Sequence, residues 1–535
     1  MDIIKSPDAG SGEVKHGLSP LSAGDAWLLP DFLPAERLLD ALAAVFRLDI
    51  APEYETTVVY ADSFDWRLYK QGCLLDCRDA CWTLKHYGNG EAIAQQGGPE
   101  LHTSCFAFDF PPGKLREFLE QVLGVRCLLP LATVCLRGSQ IRLLNSDEKT
   151  VARVEIETRQ PVDAEDERLY HIIRVFGVRG YDGEEESVRR ILAENGVAVT
   201  VSPFTGFEEA CRAKGRSPLD YDSKFTIELD GGETARSAMV RIYQILLDAI
   251  TRNMPGVAAD YDTEFLRIMR VAIRRTRSGL SLVKRVLPEP VEVRFSREFS
   301  RLGALTGPVR DLDVYLLAFE DCLTRLSHFL RPGIRDFFDG LKHKRQVEWK
   351  KLARALEAGK NKTALDAWQR VLKHSDRQPA ELFDVPVREL AGRIILKRYK
   401  RVRRDGRLLD AVTPDAEVHR LRVKCKKLRY AIEFFGSLYP KQELQTLIRS
   451  LKKLQNILGR FNDLSVQQEM LRESLGSLSA GARGNLDQAA ALGGLLQSLF
   501  QEQQGLRAHF AEAYAQFVDN KTTMLFNKLF NKESL

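Results

Sequence analysis

Nowhere in this sequence do apolar residues run for the roughly 18 positions that a membrane span requires, so no membrane partner is expected. A Gly-rich phosphate loop, a nucleophile elbow and a His-Glu zinc motif are all missing. Their absence removes P-loop nucleotide hydrolysis, esterase-type chemistry and zincin chemistry from consideration. The opening stretch, residues 1–24, lacks the apolar core of a signal peptide and is expected to be a disordered leader. Nine cysteines, an odd number scattered over 535 residues, fit reduced thiols in a cytoplasm better than a disulfide framework. Cys73, Cys77 and Cys81 stand four apart, with His86 and His102 not far off, yet no fourth ligand falls at zinc-finger spacing. Buried thiols account for them, and no metal is assigned there. Net charge is only +6. A polyanion partner therefore has to be sought in local clustering of cations, because a local field attracts whatever the total.

That clustering is present. Residues 418–435 read VHRLRVKCKKLRYAIEFF. At helical spacing His419, Arg422, Lys426 and Arg429 fall within an arc of about 80°, while Leu421, Cys425, Leu428 and Ile432 gather on another face. The pattern occurs twice. A shift of 152 positions lays Arg267, Arg270, Arg274, Arg275 and Arg277 on His419, Arg422, Lys426, Lys427 and Arg429. Apolar Met269, Ile273 and Leu280 overlay Leu421, Cys425 and Ile432, and Gly307, Asp311 and Leu312 meet Gly459, Asp463 and Leu464 at the same offset. One offset held over this length identifies an internal duplication into two helical halves. Like charges at i,i+4, such as Arg270 with Arg274 and Arg422 with Lys426, repel on an exposed helix. Their recurrence in both halves points to anion binding. Tyr430, Asp311, Asp313 and Asp463 are expected to fix the arginines, and Glu433 to orient its cationic neighbours.

At these residues the chain resembles the CHAD (conserved histidine α-helical) domain. The first half of the family pattern is carried by EFLRIMRVAIRRTRSGL and LGALTGPVRDLDVY, the second by EVHRLRVKCKKLRYAIEFF and LKKLQNILGRFNDL. Arg267 stands where the first half of the family carries its histidine, and His419 keeps the second. The resemblance implies binding of inorganic polyphosphate by the basic faces of both repeats, at Arg267, Arg270, Arg274, Arg275, Arg277, His419, Arg422, Lys426, Lys427 and Arg429. It also implies a cytoplasmic protein at polyphosphate granules.

The N-terminal part has a β texture from about residue 55, with a helix near 111–124 and a hairpin at Asn145–Lys149. A strand, acidic turn, helix and further strand are read between Leu169 and Gly206. VVYADSFDWRLYKQG, WTLK, RGSQIRLL and VARVEIE resemble the CYTH, or triphosphate-tunnel, family, which implies a closed antiparallel β-barrel with flanking helices. Ser223-Lys224 sits where fusions of the two families carry such a junction. Catalytic members open with a Glu-x-Glu-x-Lys strand that holds divalent metal; here only Glu53 and Glu55 come near it, without the lysine. Of the later Arg-x-Arg only Arg78 remains. Lys85, Arg137, Arg142, Glu155 and Glu157 are left as vestigial tunnel residues, too few for metal-assisted hydrolysis.

The expectation is an α+β multidomain protein. After the leader come a degenerate CYTH-like barrel at 25–227, an all-α CHAD domain of two pseudo-symmetric bundles at 228–520 (repeats at 228–330 and 388–520) and a tail at 521–535. Thr234 is the expected N-cap of the first long helix. The basic run 388–409 is expected to add to the anion surface. Polyphosphate binding is the leading function. A metal-dependent triphosphatase, the only reading that needs Mg²⁺ or Mn²⁺, is the alternative, and nucleic-acid binding the second alternative. Little aromatic character interleaves the basic stripes, which weighs against nucleic acid.

Overall fold

The computed structural model describes residues 25–30, 33–87, 90–162, 170–197, 205–225, 227–375, 384–407, 413–478 and 483–531. The leader 1–24 and the last strand expected before Gly206 lie outside them, as does most of the linker 374–386. Two compact units divide the chain, Met1–Asp222 and Ser223–Leu535.

Unit one is an antiparallel sheet. Its strands are β1 (Asp25–Leu28), β2 (Arg47–Ile50), β3 (Tyr54–Asp62), β4 (Cys73–Arg78), β5 (Cys81–His86), β6 (Ala92–Gly97), β7 (Leu129–Leu144), β8 (Thr150–Pro161) and β9 (Tyr170–Gly177). They run in the order β1-β9-β8-β7-β3-β4-β5-β6, with β2 also on β7. β2 and β3 pair with successive stretches of one β7 edge, so they act as a single interrupted strand. The antiparallel sheet with flanking helices stands, but the closed barrel does not. Among the described residues the four-residue β1 and the largely exposed β6 are the two ends of the path and do not pair. The sheet is instead covered in two patches. Helices α1 (Ala35–Ala43) and α3 (Asp182–Glu194) bury Leu38, Leu42, Val188 and Leu192 against Ile141, Val154 and Ile173. Helix α2 (Lys114–Leu123) buries Leu115, Leu119 and Leu123 against Leu75, Trp82 and Leu84. Cys73 and Cys77 are part of that second core, while Cys81 lies beyond the turn on β5. The β7–β8 hairpin forms where expected, because Asn145 Oδ1 accepts from the Asp147 and Lys149 amides at 3.0 Å.

Unit two is helical. After α4 (Thr205–Ala213) closes unit one, the chain forms α5 (Ala235–Ala258), α6 (Thr263–Leu282), α7 (Glu289–Leu305), α8 (Gly307–Leu317), α9 (Phe319–Thr324), α10 (Arg331–Glu357) and α11 (Lys360–Lys373). Then come α12 (Val387–Gly406), α13 (Asp415–Phe435), α14 (Lys441–Gly476), α15 (Arg483–Phe517) and α16 (Asn520–Phe530). Thr234 caps α5 by accepting from the Ser237 amide at 3.2 Å. The duplication is explicit in the helix starts: Ala235, Thr263, Glu289 and Arg331 begin helices 152 residues before Val387, Asp415, Lys441 and Arg483. Equivalent stretches of backbone even bond each other. The Ala235 amide donates to the Val385 carbonyl at 2.8 Å, and the Val387 amide to the Glu233 carbonyl at 3.0 Å. This is the reciprocal exchange that a local two-fold axis produces, and it passes between Thr234 and Pro386.

One of the points where the halves differ has a covalent reason. Gly307-Pro308 interrupts repeat one between α7 and α8, since proline offers no amide to a helix interior. Repeat two has Gly459-Arg460 there and runs unbroken as α14. The core spans both repeats, with Leu312 and its equivalent Leu464 in one cluster with Phe337, Phe338 and Leu492. In repeat one, fully buried Trp368 packs against Tyr243, Phe295 and Phe299 with centroids 4.5–5.7 Å apart. Trp368→Ala is expected to cost about 3–5 kcal/mol. A denaturant titration of the purified chain that shows under 1 kcal/mol (about one tenfold step in equilibrium constant or less) would contradict this packing.

Candidate functional site

The basic stripes occupy α6 and α13, equivalent helices that pack on each other. Each buries an apolar face: Phe265, Met269, Ile273 and Leu280 on α6, and Leu421, Cys425, Leu428 and Ile432 on α13. The cations are thereby forced to the remaining surface, where two sets of like charge come together.

Arg274 is exposed and makes no hydrogen bond or ion pair with any described residue. Its guanidinium carbon lies 5.9 Å from the Tyr430 ring on α13, and Arg429 approaches the same ring at 5.7 Å. Tyr430 is buried, and its hydroxyl has no hydrogen-bond partner among the described residues. Arg422, with a side chain 15% exposed, reaches Asp463 at 3.3 Å while its Nε stays buried and unpaired. Burial, together with the charge of Arg274, lowers its affinity for a proton, and Asp463 opposes that. Lys426 sits among these groups with no hydrogen bond or ion pair to any described residue. Burial, then Arg422 and Arg274, push its ammonium down to about 8 despite Asp463 nearby, with Arg429 acting in the same direction.

Other stripe residues are held more firmly. Arg267 is clamped by Glu264 through Nε and a terminal nitrogen at 2.5 and 2.6 Å. Arg270 donates to the Gly303 carbonyl at 3.0 Å and to Thr306 Oγ1 at 2.9 Å, with Asp311 close enough to offset part of its burial. Arg277 lies against Gly303, where an added Cβ would stand 3.0 Å from it. His419 Nδ1 pairs with Asn462 Oδ1. Arg275 ties α6 to α13 by donating to Glu433 at 2.8 Å, and Arg429 meets the other oxygen of Glu433 at 3.2 Å. Glu433 thus orients cations from both repeats.

Two placements differ from the sequence reading. Asp313 serves Arg345, at 2.8 Å, rather than the α6 arginines, because α10 brings Arg345 to it together with Asp260. Lys427 turns away from the α6–α13 cluster; burial and then Arg398 and Arg401 of α12 lower its pKa. The sequence also passed over Arg310 of α8, whose half-buried guanidinium lies near Arg267 and leaves a terminal nitrogen unpaired. Its signal was the repeat itself, since Arg310 stands 152 residues before Asn462, the partner of His419. Gln455, with both side-chain polar atoms buried and unpaired, lies two turns earlier on the stripe of α14 that carries Asn462.

In unit one, strand register places Lys85, Arg142, Glu155 and Glu157 on one face of the sheet and Arg137 on the other. Arg137 pairs with Glu55 at 3.0 Å, and Arg142 with Asp49. The shared face is neutralised from within. Glu157, almost fully buried, is ionised against its burial by Arg159 and Arg174, and Glu155 accepts from Tyr54 at 2.9 Å beside Arg174. Lys85 is taken by Asp76. Among the described residues no three acidic, His or Cys side chains gather as a metal set. Carboxylates committed to arginines are poor ligands for a divalent ion, so Mg²⁺ or Mn²⁺ does not fit this face.

Residues 241–472 match the model of the CHAD domain family. The crystal structure of the CHAD domain from the plant Ricinus communis overlays with 25% sequence identity and a TM-score of 0.46, covering 54% of this chain and 93% of that one. PptA from Streptomyces chartreusis overlays at 15% identity and a TM-score of 0.42, covering 53% and 99%. No curated protein matches the chain. No described helix is long and apolar enough to cross a membrane.

The position of Lys426 makes anion binding depend on pH. An anion favours the ammonium, which the free site holds only below about pH 8. Raising the pH from about 7 to about 9 is therefore expected to weaken tripolyphosphate binding as Lys426 loses its proton. Lys426→Arg should flatten that profile, because guanidinium stays charged throughout. Calorimetric titration of both proteins across the range checks this, and parallel profiles would refute it.

Proposed function

We propose that the chain binds inorganic polyphosphate through the facing basic stripes of its CHAD domain, a family associated with that ligand. One observation supports the reading above the rest: exposed Arg274 and half-buried Lys426 are held without partners among the described residues, beside Arg422. Gathering like charge on a partly desolvated surface raises the energy of the free protein, and a bound polyanion relieves it. Arginine offers bidentate contacts to phosphate oxygens and lysine a point charge. The Tyr430 hydroxyl is a spare donor within the same cluster. Association with polyphosphate granules follows from this ligand and belongs to the same proposal. Nucleic acid is the weaker reading, because the aromatic ring at the site is buried beneath two arginines and offers no face for base stacking. A triphosphatase is weaker again, given the internally paired charges of unit one.

Arg274→Ala, Arg422→Ala and Lys426→Ala are each expected to weaken long-chain polyphosphate binding roughly ten- to hundredfold, the worth of one charge-assisted hydrogen bond of about 1.5–3 kcal/mol. Lys350→Ala with Lys351→Ala, at exposed positions of α10, should change it much less. Equal losses in stripe and control variants would reduce the interaction to diffuse electrostatics. Single-stranded DNA of matched charge binding as tightly at equal salt would remove the ligand assignment. Phosphate release from tripolyphosphate with Mg²⁺ that is abolished by Glu155→Ala and Glu157→Ala would promote the enzyme reading.

A further inference from the structure

Helix α12 carries a second cationic surface that the duplication does not explain. Arg393, Lys397, Lys400, Arg401 and Arg404 are exposed at positions that share one helix face, and with Leu396 they line a shallow depression. Of these five, Arg404 alone has an acidic partner among the described residues, Asp405 at 2.7 Å. Arg393, Lys397, Lys400 and Arg401 make no hydrogen bond or ion pair with any described residue. The opposite face holds the fold, burying Leu390, Ile395, Tyr399 and Val402.

The repeat supplies its own control. At the same offset, α5 carries Arg241, Ile245, Asp248, Ala249 and Arg252. There Arg241 is paired with Glu233 at 2.7 Å and Arg252 with Asp248 at 3.6 Å. An equivalent helix therefore takes the equivalent place in the bundle without a bare cationic face, and packing does not require one on α12. The surplus charge also reaches the helix of the first site: Arg398 and Arg401 lie close enough to Lys427 of α13 to lower its pKa beyond the effect of burial, on the side of α13 turned away from the α6–α13 cluster.

Resting on the polyphosphate reading above, we propose that the exposed face of α12, continued by Lys427, is a one-sided second subsite for the same polyanion. It engages only those polyphosphates long enough to run past α13, and so makes affinity depend on chain length. The α6–α13 cluster grips a short segment; the α12 face holds the overhang on one side of the two-fold axis and has no counterpart on the other. Charge complementarity selects the occupant, and the open, unpaired lysines and arginines suit a flexible chain better than a fixed small anion.

The test compares full-length protein with the variant Arg393→Ala, Lys397→Ala, Lys400→Ala and Arg401→Ala, using tripolyphosphate and long-chain polyphosphate at fixed salt. Tripolyphosphate affinity is expected to stay within about twofold, while long-chain affinity falls at least tenfold. The salt dependence of long-chain binding should also flatten by about 0.7 in log–log slope for each phosphate charge that the variant leaves unneutralised. Thermal unfolding of the variant, and a milder Lys397→Gln, Lys400→Gln pair showing a smaller loss in the same direction, guard against misfolding. Unchanged long-chain affinity overturns the subsite and leaves the α6–α13 site standing. An equal fall for both ligands shows a diffuse field and overturns it too. A loss seen with single-stranded DNA but not with polyphosphate assigns the face to nucleic acid instead. Failure of Arg274→Ala and Lys426→Ala to weaken tripolyphosphate binding removes the underlying reading, whatever α12 does.

Discussion

Repulsion between like charges is the constraint on which unit two turns. Cations of α6 and α13 are drawn together because the apolar faces of these helices must be buried, and the fold then has to hold what it has gathered. It does so with a small set of oppositely charged clamps: Glu264 on Arg267, Asp463 on Arg422, and Glu433 between Arg275 and Arg429. The clamps restrain the edges of the cluster and leave its centre, Arg274 and Lys426, uncompensated. A surface stripe would scatter such charge in water. Here Lys426 is desolvated enough to lose half its proton occupancy near pH 8.

Unit one solves the opposite problem. On its polar sheet face Asp49, Asp76, Glu155 and Glu157 are each paired with a cation, Arg142, Lys85, Arg174 and Arg159 respectively, and the deepest pair, Glu157 with Arg159, is almost completely buried. Such pairs hold only when both partners are present. The carboxylates that a tunnel enzyme would spend on a metal are committed to guanidinium groups.

Pseudo-symmetry explains why so much of unit two repeats and also where it departs. The reciprocal backbone exchange between residues 233–235 and 385–387 ties the repeats at their first helices, and α6 and α13 then face each other by the same operation. Departures from symmetry are where particular roles appear: Pro308 breaking α7 from α8, lysine at 426 opposite arginine at 274, and the bare cations of α12 opposite the paired ones of α5.

Much of this was legible in the order of the residues. Apolar periodicity and one constant offset determined the two helical halves, the N-cap at Thr234 and the cationic stripes, because helix phase is a local property that spacing records. Strand alternation likewise marked the β texture and placed Glu155 and Glu157 on one strand, while the antiparallel sheet was what the resemblance to the CYTH family implied. Partnership is not local, and there the sequence reading was uneven: Asp463 and Glu433 do hold stripe arginines, whereas Asp313 serves Arg345. Whether Arg274 would be bare and Arg267 clamped, whether Asp313 would serve α6 or Arg345, and which way Lys427 would turn depend on atoms brought from other helices. The closed barrel that the resemblance implied did not form, since pairing of two edge strands requires a whole-sheet curvature that no single strand encodes. The sequence determined where positive charge stands along each helix; only the tertiary structure decided which of those charges are left without a counter-ion, because compensation is a matter of distance in space.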